Sequence, residues 1–162
     1  MAITMITWLV AIPLLGFANG LRTMTPIAVL CWFGYLGYLP VQHDWAFWTT
    51  KLAAAIIFTL LALGELIGDK LPKTPSRIAP GPLAARVVFG GLVGAIAATA
   101  LQGSILEGIV LGALGAVLGA FGGYHIRHSI VEGTGWPDWI PAITEDGIAI
   151  LTSIFAMGII TG

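Results

Sequence analysis

The sequence predicts an all-α, polytopic membrane helix bundle of about six short transmembrane helices, forming a single domain over residues 1–162. Three observations predict it. First, 57% of the residues are hydrophobic, only 9% are charged, and the mean hydropathy is +0.95. A soluble domain carries roughly 25% charged residues, so this chain lacks the polar surface to face water and needs lipid as its solvent. Second, apolar runs recur along the whole chain, broken by short Gly-, Pro- and charge-bearing stretches. Third, the basic residues concentrate in alternate connections, as in multi-pass proteins.

The first predicted span covers residues 3–17, with Pro13 as a kink and Asn19-Gly20 as its C-terminal cap. Its start lacks the basic region of a signal peptide, so it reads as a retained span. The second covers residues 26–39, with Thr25 as cap, Pro26 in the tolerant first position and Pro40 as its end. The remaining spans are predicted over residues 52–68, 84–101, 105–124 and 143–160, the last capped by Thr144. A full span needs about 20 residues. The first two runs are short, and a re-entrant hairpin that carries Arg22 deep into the membrane is the alternative to two spans. Three helices followed by three is also the layout of a pair of three-helix inverted repeats.

With alternating connections, Arg22, Lys70, Lys73, Arg77, Arg86 and Arg127 fall on one side and Lys51 on the other. The rich side is expected to be cytoplasmic. This predicts a multi-pass protein of the bacterial inner (plasma) membrane with both termini outside. Trp45 and Trp48 on the outer side, and Trp136 and Trp139 on the inner, suit interfacial belts. Residues 129–142 read as a segment lying along the membrane surface or folding back over the bundle. The basic, proline-broken stretch from Asp69 to Arg86 faces the anionic leaflet in this arrangement, with membrane lipids as its partners.

Several classes are excluded. The net charge is −1, with seven Lys and Arg residues in all, so there is no nucleic-acid face. One cysteine, Cys31, permits neither an internal disulfide nor a CxxC metal site. No nucleophile elbow, zinc-protease helix motif or phosphate loop occurs, so the reading leans away from an enzyme and predicts no cofactor.

The fifth span carries Gly108, Gly112, Gly115, Gly119 and Gly122 at alternating spacings of four and three. Such a stripe lets helix backbones approach closely, within one chain or in a homo-oligomer. Glu65 and Asp69 lie four apart at the C-terminal end of the third span, where acids oppose the helix dipole unless cations compensate them. Arg22, Lys70 and Arg77 are candidate partners. A charge about one turn inside a membrane, as at Glu65, is expensive and usually functional. Glu145 and Asp146 open the sixth predicted span, where acids also serve the helix dipole. His125, Arg127 and His128 close the fifth. Together with Glu65, Asp69 and Glu145, His125 makes a divalent metal site the minority expectation.

Gly20-Leu21-Arg22, Glu65 with Asp69-Lys70 and Pro72, then His125, Arg127 and Glu145-Asp146 together resemble a bacterial membrane family called domain of unknown function 4126. The chain departs from it in the Lys-Thr-Pro-Ser-Arg that follows Pro72. The resemblance implies that Arg22, Glu65, Asp69, Lys70, His125, Glu145 and Asp146 share one site, and Arg127 joins them by position. The function expected is a small transporter or permease in which Glu65 and Asp69 carry an ion or proton and Arg22 and Lys70 serve as counter-charges or anion clamps. The alternatives are a metal-dependent membrane enzyme acting on a lipid phosphate and a membrane scaffold.

Overall fold

The computed structural model describes residues 7–69 and 78–162. Residues 3–6 of the first predicted span, and Lys70, Lys73 and Arg77, lie outside them. Within the described residues the chain forms six α-helices and no strand: α1 (Ile12–Leu21), α2 (Thr25–Tyr35), α3 (Leu52–Gly68), α4 (Pro80–Ala100), α5 (Ile105–Thr134) and α6 (Trp139–Thr161). A π-helical turn, Thr7–Ala11, leads into α1. It sits just ahead of Pro13, whose missing N–H breaks the ordinary i to i−4 ladder there. Three of the helices, α4, α5 and α6, are long and apolar enough to cross a membrane, while Trp8–Leu21, α2 and α3 are shorter apolar helices.

The boundaries correct several expectations. Asn19 and Gly20 do not cap the first helix; both are buried inside it. Helix α2 ends at Tyr35, well before Pro40, and the φ of +84° at Gly37 just beyond it lets Gly37 and Tyr38 donate back to Gly34 O and Phe33 O. The residues expected to lie along the membrane surface instead extend α5 to Thr134, where Gly135 closes the helix at φ +67°. Helix α6 begins at Trp139 rather than at residue 143. Glu145 and Asp146 therefore stand in its second turn, and Thr144 donates to Ile140 O instead of capping.

Helix direction alternates along the chain. Gly94 lies against Gly108 and Gly90 against Gly112, so α4 and α5 are antiparallel; Gly16 lies against Gly112 and Gly20 against Ala116, so α1 and α5 are parallel. Trp32 Nε1 donates to Thr59 Oγ1 at 2.9 Å and Met24 N to Glu65, so α2 and α3 are antiparallel. One end of the bundle thus collects the α2–α3 and α4–α5 connections, where the Trp45 indole donates to Thr99 Oγ1 at 3.0 Å. The opposite end collects Arg22, Arg86 and Arg127 with Glu65, Asp69, Glu145 and Asp146. Lys51 is at the first end.

The core is unusual in its materials. Where α1, α4 and α5 meet, a Cβ added at Gly16, Gly20, Gly94, Gly108, Gly112, Gly115 or Gly119 would come within 3.0 Å of a neighbouring helix's backbone. These helices touch main chain to main chain, so dispersion and shape hold them where lipid offers no hydrophobic drive. Gly122, on the same stripe, faces open space. The rest of the core is ordinary: Ile12, Leu15, Ile27, Leu30, Cys31, Val93, Ile96 and Met157 are buried together. Helix α3 leans mainly on α2 and exposes Ile57, Leu60, Leu63 and Ile67. Helices α4 and α5 pack closely along their length, whereas α1 and α2 barely touch beyond the bend that joins them.

Candidate functional site

The bend between α1 and α2 is where the charges meet. Helix α1 ends with its last carbonyls exposed to the bend, carrying the partial negative charge of a helix C-terminus. The Arg86 guanidinium, from the second turn of α4, fills that position: its Nη1 donates to Gly20 O at 2.8 Å and Leu21 O at 2.7 Å. Helix α2 begins with unpaired N–H groups and the opposite partial charge. The Glu65 carboxylate from α3 accepts from Thr23 N and Met24 N, each at 2.8 Å, one oxygen apiece. The cap expected from Thr25 is thus supplied from another helix. Arg86 and Glu65, which fill the two helix ends, stand 3.7 Å apart.

Arg22 occupies the bend itself and is 0% exposed. Its Nη1 lies 2.7 Å from Asp69 Oδ2 and its Nε 2.6 Å from Asp146 Oδ1, which brings α3 and α6 onto the α1–α2 junction. Both contacts are ion pairs, and Nη2 makes no hydrogen bond among the described residues. Asn19, also fully buried, donates to Arg86 O at 3.2 Å while its Oδ1 accepts no hydrogen bond among them. Buried polar atoms are normally paired, and these two stand within the same cluster of helix ends.

Arg127 extends the network along α5. It pairs with both carboxylate oxygens of Asp138 at the start of α6, with Asp69 Oδ2 at 3.1 Å, and with Glu145 Oε2 at 3.8 Å. Glu145 and Asp146 are buried. The acids at the end of α3, which the dipole disfavours, are compensated by Arg22, Arg86 and Arg127. All three cations are arginines, whose planar fork serves two carboxylates at once.

The structure therefore brings together Arg22, Glu65, Asp69, Arg127, Glu145 and Asp146. It leaves out His125, which is exposed on α5 with its ring against the edge of Tyr124. Three residues further along the helix, His128 stacks on Tyr124 and pairs with Glu132 on the outer surface. A site joining His125 to the carboxylates is thereby corrected: the α5 face that carries Arg127 inward turns His125 outward. Among the described residues no group of three or more His, Cys, Asp or Glu is placed to hold a metal. Lys70 lies outside the described residues.

Two members were not singled out from sequence as site residues. Arg86 was read as one of the basic residues that orient the chain or meet lipid phosphates, yet an arginine in an otherwise apolar helix is the usual mark of a buried partner. Asp138 lay in the segment expected to rest on the membrane surface. Beside the network, α1, α5 and α6 enclose a half-open cleft of about 240 Å3, whose walls are apolar apart from Arg127, Thr144 and Glu145.

The family described as Domain of unknown function (DUF4126) matches residues 9–159, which covers all six helices but for the last residues of α6. No curated protein and no solved structure matches the chain.

Proposed function

The chain belongs to that family, and from this footing we propose that it is a six-span carrier of the bacterial inner membrane. It moves an ion, a proton or a small anionic solute through the charged end of its bundle. The observation that supports this reading is Arg22, wholly buried between Asp69 and Asp146 at the junction of two short helices. Arg86 stands fourteen residues before the end of α4 at Ala100, and Glu65 thirteen residues after the start of α3 at Leu52. At 1.5 Å per residue both lie about 20 Å from the opposite end of the bundle. The hydrocarbon layer is about 30 Å thick, so on this reading the network stands inside it. Charges there are costly and are retained for function by default.

Helix ends that present carbonyls to a cation and N–H groups to an anion are the means by which membrane carriers hold ions. Here Arg86 and Glu65 occupy both, and Arg22 Nη2 and Asn19 Oδ1, which have no hydrogen bond among the described residues, adjoin them. Protonation or displacement of Glu65 would free the N–H end of α2 for a solute oxyanion. The charged end faces the cytoplasm by its basic content, which places both termini outside. The exposed face of α3, where a Cβ added at Gly64 would meet nothing within 4 Å, supports self-association through that helix into a homo-oligomer.

Purified protein reconstituted into vesicles tests the reading, with flux of protons, chloride and inorganic phosphate as probes. Flux carried by the wild-type chain and lost in Glu65→Gln and Asp69→Asn, each still folded, supports it. Folded variants that match wild type, or a wild-type chain that moves none of the three, would reduce the network to a scaffold that only joins helix ends.

A further inference from the structure

The charge network leaves two buried polar atoms to be accounted for, Arg22 Nη2 and Asn19 Oδ1. Both residues are 0% exposed, and neither atom makes a hydrogen bond among the described residues. The rest of each side chain is engaged. Arg22 Nη1 pairs with Asp69 at 2.7 Å and Nε with Asp146 at 2.6 Å, while Asn19 Nδ2 donates to Arg86 O at 3.2 Å. The two residues stand three apart where α1 ends, a spacing that makes neighbours on one helix face. Arg86 closes over that last turn, with its Nη1 on Gly20 O and Leu21 O between them.

We propose that internal water is bound where α1 ends, accepting from Arg22 Nη2 and donating to Asn19 Oδ1. The chemistry of the two atoms selects the ligand. A guanidinium N–H only donates and an amide oxygen only accepts, so the ligand must do both. An anion is disfavoured, because the charge of Arg22 is already met by two carboxylates and Asn19 Oδ1 would turn a lone pair toward it. A cation is disfavoured by the guanidinium. What remains is small, neutral, and both donor and acceptor. Buried waters serve such groups, typically with about three polar partners each. A buried ion pair offsets its desolvation only when its remaining protons are also bonded, so hydration completes the junction that Arg22 holds together. The inference does not depend on transport and stands if the network carries no ion.

Solid-state NMR of the labelled chain in lipid bilayers tests this, with magnetisation transferred from water protons to side chains. The Arg22 guanidinium and the Asn19 amide are expected to receive it at short mixing times, although no surface reaches them. Ser153 and Thr49 are the dry references: both are also 0% exposed, but their hydroxyls donate within the chain, to Ala149 O and Ala46 O. Asn19→Leu removes the acceptor, and transfer to Arg22 should be lost, falling to the level of Ser153. Should that variant not fold, the wild-type comparison decides by itself. Wild-type Arg22 and Asn19 as slow as Ser153, or unchanged transfer to Arg22 in folded Asn19→Leu, overturns the proposal. So does a shift of the Arg22 Nη2 resonance when chloride in the buffer is exchanged for phosphate, which would give the atom to an anion.

Discussion

Helices α1, α4 and α5 and helix α3 are held in the same molecule by opposite means. The first three interlock backbone to backbone, with glycines removed of every side chain that would part them. Helix α3 packs mainly on α2, exposes Gly64, and reaches the rest of the bundle at its C-terminal end, through Glu65 and Asp69. Packing fixes the trio along its length; charge fixes α3 at one point. A helix tied at one end by ionic contacts is freer to move than one in continuous contact, so motion is expected in α3 and not in the glycine core.

The largest expected effect comes from Gly112→Leu. Gly112 touches α4 on one side and α1 on the other, and neither backbone can retreat. Overpacking typically costs about 1–3 kcal/mol, and here it should exceed that and leave no monodisperse folded protein on size-exclusion chromatography. Next is Arg22→Met, which removes the arginine partner of buried Asp146 and weakens the tie to Asp69. Breaking a buried pair on one side costs roughly 3–5 kcal/mol, read as thermal unfolding in detergent, and Asp146→Asn added to it should recover part of the loss. Smaller again is Glu65→Gln. Hydrogen bonds to a charged group contribute about 1.5–3 kcal/mol, and the loss should appear locally, as faster amide exchange in α3 and at the start of α2 while α4 and α5 are unchanged. Uniform exchange in all helices would erase the contrast between the two regions. Gly64→Ala is the smallest change and of opposite sign: a Cβ there meets nothing, and the gain in helix propensity is up to about 1 kcal/mol, visible as a small rise in melting temperature.

The legible part of the fold was what depends on local composition. Helix α3 was read to the residue, because Lys51 and Asp69 bound an unbroken apolar run. The errors lie where tertiary contact overrules a local signal. Asn19-Gly20 has the composition of a cap, yet α5 offers a glycine surface against which Gly20 packs inside the helix. Thr25 looks like a cap, yet Glu65 arrives from forty residues away and takes the N–H groups first. Of the site, the acids and Arg22 were legible because a charge in an apolar run is conspicuous. His125 was misplaced because spacing gives a separation along the helix but not which face the bundle turns inward.

Composition alone determined that the chain needs lipid and is helical, since so few charges cannot cover a water-facing surface and backbone groups in hydrocarbon must pair within their own segment. Which arginine meets which acid was decided by tertiary structure. Ion pairing acts over a few ångströms, and the partners are brought that close only when glycine packing sets the height and rotation of one helix against another.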